Sequence, residues 1–199
     1  PLYEESELGF FKTHYYGGIK KYQWTAIPLA LHGVVAKKDG TVVKVSLGED
    51  PRDPVFTVTD LLPHLSGEQM RRSLADGVRG EELNILIGSR PFKDDKVSER
   101  VKLQLAKLLR DRYAITEADF LSAELCAVPA FSARDLGLDR SMIGAYGHDD
   151  RVCAYTSLMA ALEVTDPVHT TVTVLADKEE TGSEGNTGLQ SSFLRYFIS

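Results

Sequence analysis

Cysteine is scarce in this chain, with two in 199 residues. Cys126 and Cys153 are far apart and form no Cys-x-x-Cys pair, so no disulfide framework is indicated. Two buried thiols in a reduced cytoplasmic protein are the expectation. Long apolar runs are missing too. Nothing approaches the roughly 18 residues of a membrane span, and no basic-plus-apolar leader is seen, so neither a span nor secretion is expected. Positive charge is in deficit: the formal net charge is -6, which gives no electrostatic reason to expect nucleic acid or an anionic membrane as a partner. No segment repeats at a fixed period and none is low-complexity. The chain opens on Pro1 without a methionine and closes on the apolar stripe Leu189, Phe193, Tyr196 and Phe197 with no capping glycine after it. A piece of a longer protein is expected.

What is present has the composition of an ordinary globular chain, long enough for one good core. Residues 24–37 and 41–47 read as β-rich strands, joined through Lys38-Asp39-Gly40, an Asp-Gly hairpin turn. Shorter strands are expected at 55–59, 83–87 and 124–128, and a short helix at 66–74. The apolar spacing of Val97, Val101, Leu105 and Leu108 predicts a helix over 96–113. Thr116 with Asp119 resembles a capping pair. The pair Gly17-Gly18, within His14-Tyr15-Tyr16-Gly17-Gly18, marks a tight turn or a close backbone approach. After about residue 130 the texture changes to helix (150–163), strand (170–176), loop and a last helix, which is α/β grammar. The apolar face Val152, Tyr155, Met159 and Leu162 is expected to be core. A domain boundary is placed at 130–138.

The candidate chemistry gathers in that last third. The alternation of Thr171 and Thr173 with Val172 and Val174 leads into Asp177-Lys178-Glu179-Glu180-Thr181-Gly182-Ser183-Glu184-Gly185. Open α/β sheets place ligands at such strand ends. Adjacent Glu179 and Glu180 suit a division of labour, one on a metal and one on a water's proton, while a solvated acidic turn remains the plain alternative. His148-Asp149-Asp150-Arg151 opens a helix, where carboxylates also complement the helix dipole. His148 is expected to be a local hydrogen-bond partner rather than a ligand. Asp150 with Glu179 and Glu180 meets the demand of paired divalent metals for hard ligands. The glycine loop through Gly182, Gly185, Asn186 and Gly188 lacks the Lys-Ser/Thr ending of a phosphate loop, so phosphate ranks below metal. Thr187 and Gln190 read as a capping box for the last helix.

The acidic loop resembles the double-Glu motif of the aspartyl aminopeptidases, which are co-catalytic two-zinc exopeptidases. The resemblance extends to residues 1–24, to Asp60-Leu61-Leu62-Pro63-His64-Leu65, and to 84–91, 120–125 and 139–154, so it covers essentially the whole chain and points to the bacterial branch. The fold it implies is α/β, with a β-rich inserted dimerisation and lid domain of α+β type over 1–135, including the strand that leads into it. Part of the α/β catalytic domain follows over 136–199. It places the bridging metal carboxylate on Asp150, the general base on Glu179 and a terminal metal ligand on Glu180. It also places on His64 the inserted-domain histidine that reaches a partner subunit's active site. Arg151 departs from the Asn or Asp that often follows the bridging residue. The cofactors implied are two divalent ions, Zn²⁺ with Co²⁺ or Mn²⁺ as alternatives. The substrate implied is a peptide with an N-terminal Asp or Glu, and the assembly a homo-oligomer built from dimers, up to a tetrahedral dodecamer. Further ligands, a His-x-Asp segment upstream and an Asp and a His downstream, are implied outside these residues, so the chain alone is expected to be inactive. A non-catalytic oligomerisation module is the rival reading. His14, His32 and His169 are read as structural.

Overall fold

The backbone of a computed structural model describes residues 1–15, 17–185 and 187–199; Tyr16 and Asn186, each part of a motif noted above, lie outside the described residues. The chain divides into two compact units, one of Pro1–Tyr15 with Lys20–Ser132, the other of residues 17–19 with Ala133–Ser199. Among the described residues no helix is long and apolar enough to cross a membrane.

The first unit holds two antiparallel sheets. Strands β1 (Leu2–Glu5) and β2 (Leu8–Phe11) form a hairpin with Glu5 opposite Leu8. The two linking residues, Ser6 and Glu7, both have positive φ (50° and 60°), as the tightest hairpin turns demand. Neither is a glycine or asparagine, so the usual sequence signal for this hairpin is missing. Strands β3 (Leu29–Ala36) and β4 (Val42–Leu47) meet through the expected Asp-Gly turn, where Asp39 accepts from the Thr41 N–H at 2.9 Å and Gly40 has φ of 86°. With β5 (Thr57–Val58), β6 (Ile85–Gly88) and β7 (Ala123–Pro129), the sheet orders are β1-β2-β6-β5 and β4-β3-β7.

Helix α1 (Arg100–Tyr113) lies on the first sheet. Gly9 and Gly88 stand opposite each other in neighbouring strands, and a Cβ on either would meet Leu105, at 2.1 and 2.8 Å. The two glycines thus form the seat for that leucine, while Val101 is buried beside it. The helix starts at Arg100 and not near Lys96, because residues before it turn: Asp94 accepts from the Lys96 N–H at 2.9 Å. Val97 and Leu108, assigned to the buried stripe, are exposed. The second sheet carries the core of Leu31, Val35, Val45, Leu47 and Ile115, closed by Phe11, Phe56 and Phe120. In β4 the alternation Val45 and Leu47 in, Lys44 and Ser46 out, follows the two-residue period of a half-buried strand. Asp119 accepts from both the Thr116 N–H and its hydroxyl, each at 2.8 Å, and caps the 3-10 turn Glu117–Ser122 as expected. The helix expected at 66–74 reduces to a 3-10 turn at Gln69–Arg71, since Met70 and Leu74 are exposed and no packing holds a short helix there.

The second unit departs further from expectation. A hairpin the sequence did not announce joins β8 (Arg134–Leu136) to β9 (Met142–Gly144), its turn held by Asp139 accepting from the Ser141 N–H and hydroxyl at 3.3 and 3.0 Å. Helix α2 spans His148–Glu163, with non-helical φ/ψ at Asp149 and Asp150 and a cis peptide between them. The face expected to be core is not: Val152, Tyr155 and Leu162 are exposed, and no residue of α2 is buried. The strand expected over 170–176 is not formed. Its side chains alternate correctly, but a strand needs a ladder partner, and among the described residues none pairs with it. Val172, Val174 and Leu175 are exposed accordingly. The last helix, α3, is short (Phe193–Ile198), and Phe193, Tyr196, Phe197 and Ile198 are exposed as well. Neither cysteine is buried: Cys126 is half-buried and Cys153 exposed.

Candidate active site

Glu179, Glu180 and Thr181 form a single 3-10 turn, entered through Lys178 with φ of 58° and left through Gly182 with φ of 80°. The Lys178 carbonyl anchors it, accepting from the Thr181 N–H at 3.2 Å, the Thr181 hydroxyl at 2.8 Å and the Ser183 N–H at 3.1 Å. With about three residues per turn, successive side chains leave a 3-10 turn roughly 120° apart. The two glutamates therefore diverge, a geometry suited to separate tasks. The rest of the loop is folded back on this turn. Thr187 donates to Asp177 at 2.6 Å, and the Gln190 side chain donates to the Gly182 carbonyl. These are the two residues read as a capping box. Instead of capping a helix they close the loop, and α3 begins at Phe193 with no side-chain cap.

The close backbone approach marked by the Gly17-Gly18 pair is found at Gly17. A Cβ there would lie 3.0 Å from the Glu180 carbonyl oxygen and 3.1 Å from its Cβ, and Gly17 has φ of 73°. Gly17 thus seats the backbone of Glu180. The glycine pair was the signal, but nothing in the sequence said which residue it receives. Gly188 has the same role toward Ser183, whose carbonyl would come within 2.0 Å of an added Cβ.

At the start of α2, His148 donates through Nε2 to the Ile143 carbonyl at 3.0 Å, a local contact that fixes the ring. Arg151 donates to the Tyr146 carbonyl at 2.9 Å. Asp150 is exposed, and the Cys153 thiol is held above its ordinary range, first by its hydrogen bond to Asp150 and then by that carboxylate's charge. His64 is exposed on a turn of the first unit, which the Leu65 and Ser66 N–H groups close by donating to the Leu62 carbonyl at 2.8 and 3.0 Å. His32 lies in β3, with Nε2 3.2 Å from a Glu49 oxygen.

Hard carboxylates at Asp150 and Glu180 are of the donor type that suits Zn²⁺. They do not make a closed set: among the described residues no group of three or more His, Cys, Asp or Glu converges to hold an ion.

The whole chain, residues 1–199, matches the family model described as aminopeptidase I zinc metalloprotease (M18). A Clostridium acetobutylicum protein named "Probable M18 family aminopeptidase 1" is 56% identical over 193 residues, which are 97% of this chain and 42% of that relative. Its Thermotoga maritima counterpart is 49% identical over the same length and coverage. The solved structure of a Thermotoga maritima aminopeptidase of this family superposes with a TM-score of 0.92 at 48% identity, over all of this chain and 43% of the other. That of aminopeptidase I from Clostridium acetobutylicum gives 0.91 at 52%, with the same coverage. The chain thus spans less than half the length of the relatives it matches.

Proposed function

The chain belongs to the M18 family of zinc metalloproteases, and on that premise we propose that it forms part of a two-zinc aminopeptidase releasing N-terminal Asp or Glu from peptides. The observation that carries this reading is the tandem Glu179-Glu180 on one anchored turn, in a chain that matches the family model throughout. Asp150 and Glu180 are the residues that would hold metal, Asp150 as the carboxylate shared between two ions. Bound zinc lowers the pKa of a coordinated water from 15.7 to about 7, which makes hydroxide available near neutrality.

The chain's own residues account for the rest. Glu179 points away from Glu180 around the turn, so its carboxylate is free to accept a water proton and return it to the departing amine nitrogen. Gly17 and the Lys178 carbonyl fix the backbone of Glu180, so a ligand there is oriented before any ion arrives. His64, exposed on its turn, is the inserted-domain residue that reaches the active site of a second copy, which makes a homo-oligomer part of the reading. The protein works in the cytoplasm. Co²⁺ or Mn²⁺ can replace zinc at carboxylate ligands.

The assignment is tested in the full-length protein. Glu179→Gln is expected to lower kcat on an aspartyl-anilide by about 10²–10⁴ with zinc retained, the usual size of a general-base contribution. Asp150→Asn and Glu180→Gln are expected to lose zinc first and activity with it. Zinc loss in the Glu179 variant with normal content in the Glu180 variant would reverse the two roles. The rival reading, a non-catalytic oligomerisation module, draws on the lack of a closed donor group among the described residues. It predicts an oligomer without stoichiometric zinc by size-exclusion chromatography and metal analysis.

A further inference from the structure

The first unit carries a cleft of 610 Å³ whose wall includes Tyr15, Lys21, Arg72, Asp76, Arg79 and Glu81. Three cations therefore face two carboxylates, and their pairing decides what the cleft can take. Arg72 is engaged, donating to Glu82 at 3.2 Å with Glu68 at 3.8 Å, while its Nε is enclosed with no hydrogen-bond partner. Asp76 accepts from the Ser73 hydroxyl at 2.7 Å. Lys21 and Arg79 enter no ion pair among the described residues. Asp76 and Glu81 both remain in the wall as carboxylates beside Lys21 and Arg79, and Glu82 feels the charge of Arg79 as well as Arg72, so the cleft favours a ligand of low rather than high negative charge.

Lys21 and Arg79 flank one continuous piece of structure. Lys21 Nζ stands 5.6 Å from the centre of the Tyr15 ring. That ring rests on Gly80, where a Cβ would come within 2.9 Å of Cε1 and push the ring outward. Gly80 opens the 3-10 turn Gly80–Glu82, and Arg79 is the residue just before it, with its N–H donating to Glu82 at 2.8 Å. A cation placed as Lys21 is, over an aromatic ring, loses less freedom on binding than a free surface side chain does.

We propose that this cleft binds a small oxyanion, a carboxylate or a phosphate group, between Lys21 and Arg79. The Arg79 fork offers paired N–H donors to two oxygens, and Lys21, in the same wall, supplies a compact positive charge. Arg72, already paired with Glu82, adds little to the field, and Asp76 and Glu81 limit the cleft to groups of low negative charge.

The test is calorimetric titration of the 199-residue chain at low salt with sodium phosphate, with sodium glutarate, and with sodium chloride at matched ionic strength. Saturable binding of either oxyanion, absent with chloride, is expected. Phosphate alone assigns a phosphate group, glutarate alone a carboxylate, and both assign the oxyanion generally. The double variant Lys21→Gln/Arg79→Gln is expected to weaken binding roughly tenfold or more, an effect of two lost charge-assisted contacts. Lys21→Gln alone is titrated beside it, so a double variant that fails to fold still leaves a test. No saturable oxyanion binding, an equal response to chloride, or unchanged affinity in the folded variants overturns the proposal.

Discussion

Gly33 sits in the middle of β3 with φ of +147°, and a Cβ there would fall 1.9 Å from the Glu124 carbonyl oxygen of β7. Backbone cannot retreat as a side-chain tip can, so Gly33→Ala is expected to cost about 2 kcal/mol or more, measured by urea unfolding. Gly17→Ala meets the milder contact with Glu180, but its positive φ adds strain of about 1 kcal/mol. Its informative readout is zinc content in the full-length protein, which should fall more than that of Gly18→Ala, since Gly18 faces open space. Asp119 offers a pH test. The Thr116 N–H, then the Thr116 hydroxyl, hold its carboxyl below the ordinary range. A depressed folded pKa contributes stability above the unfolded value, about 3.9, and loses it as pH falls through the folded value. The gap in urea midpoint between wild type and Asp119→Ala should therefore be full near neutrality and close in acid. A gap that is constant with pH would contradict this. At this scale the sequence announced the Thr116–Asp119 cap and the double Glu, because both are local patterns. The partners of Gly17 and Gly33 were hidden, because a close approach is set by a strand or loop far away in the chain.

Among the elements, legibility followed whether the neighbour that completes each one is local. The β3–β4 hairpin was readable from Asp39-Gly40, and helix α1 from its spacing, although its start shifted because Asp94 turns the chain before Arg100. The β1–β2 hairpin carries no glycine at its turn, and the β8–β9 hairpin is only three residues a side, so neither signalled itself. The segment 170–176 and the face of α2 show the converse. Their patterns are those of a buried strand and a packed helix, yet the described residues supply neither ladder nor cover. Truncations separate the two kinds of apolar residue. Val35→Ala, in a fully buried site, is expected to lower stability by about 1.5–3 kcal/mol. Leu162→Ala, at 68% exposure on α2, should stay within about 0.5 kcal/mol. Equal losses at the two sites, by urea unfolding of the 199-residue chain, would contradict this picture of α2.

At the scale of the molecule, family membership was legible from motifs spread over the whole length, while the closed site was not. The chain matches 42% of its Clostridium relative, and the carboxylates proposed above to hold metal, Asp150 and Glu180, are exposed. A two-metal centre needs more donors than these, and among the described residues no third joins them. On the proposed reading the anchored turn holds one ligand and one base, and further donors would complete the site. The most direct test is one preparation of the 199-residue chain, dialysed against zinc, analysed for bound metal and assayed with an aspartyl-anilide. The account predicts less than stoichiometric zinc and no turnover above background. Two zinc ions per chain with robust turnover would contradict it.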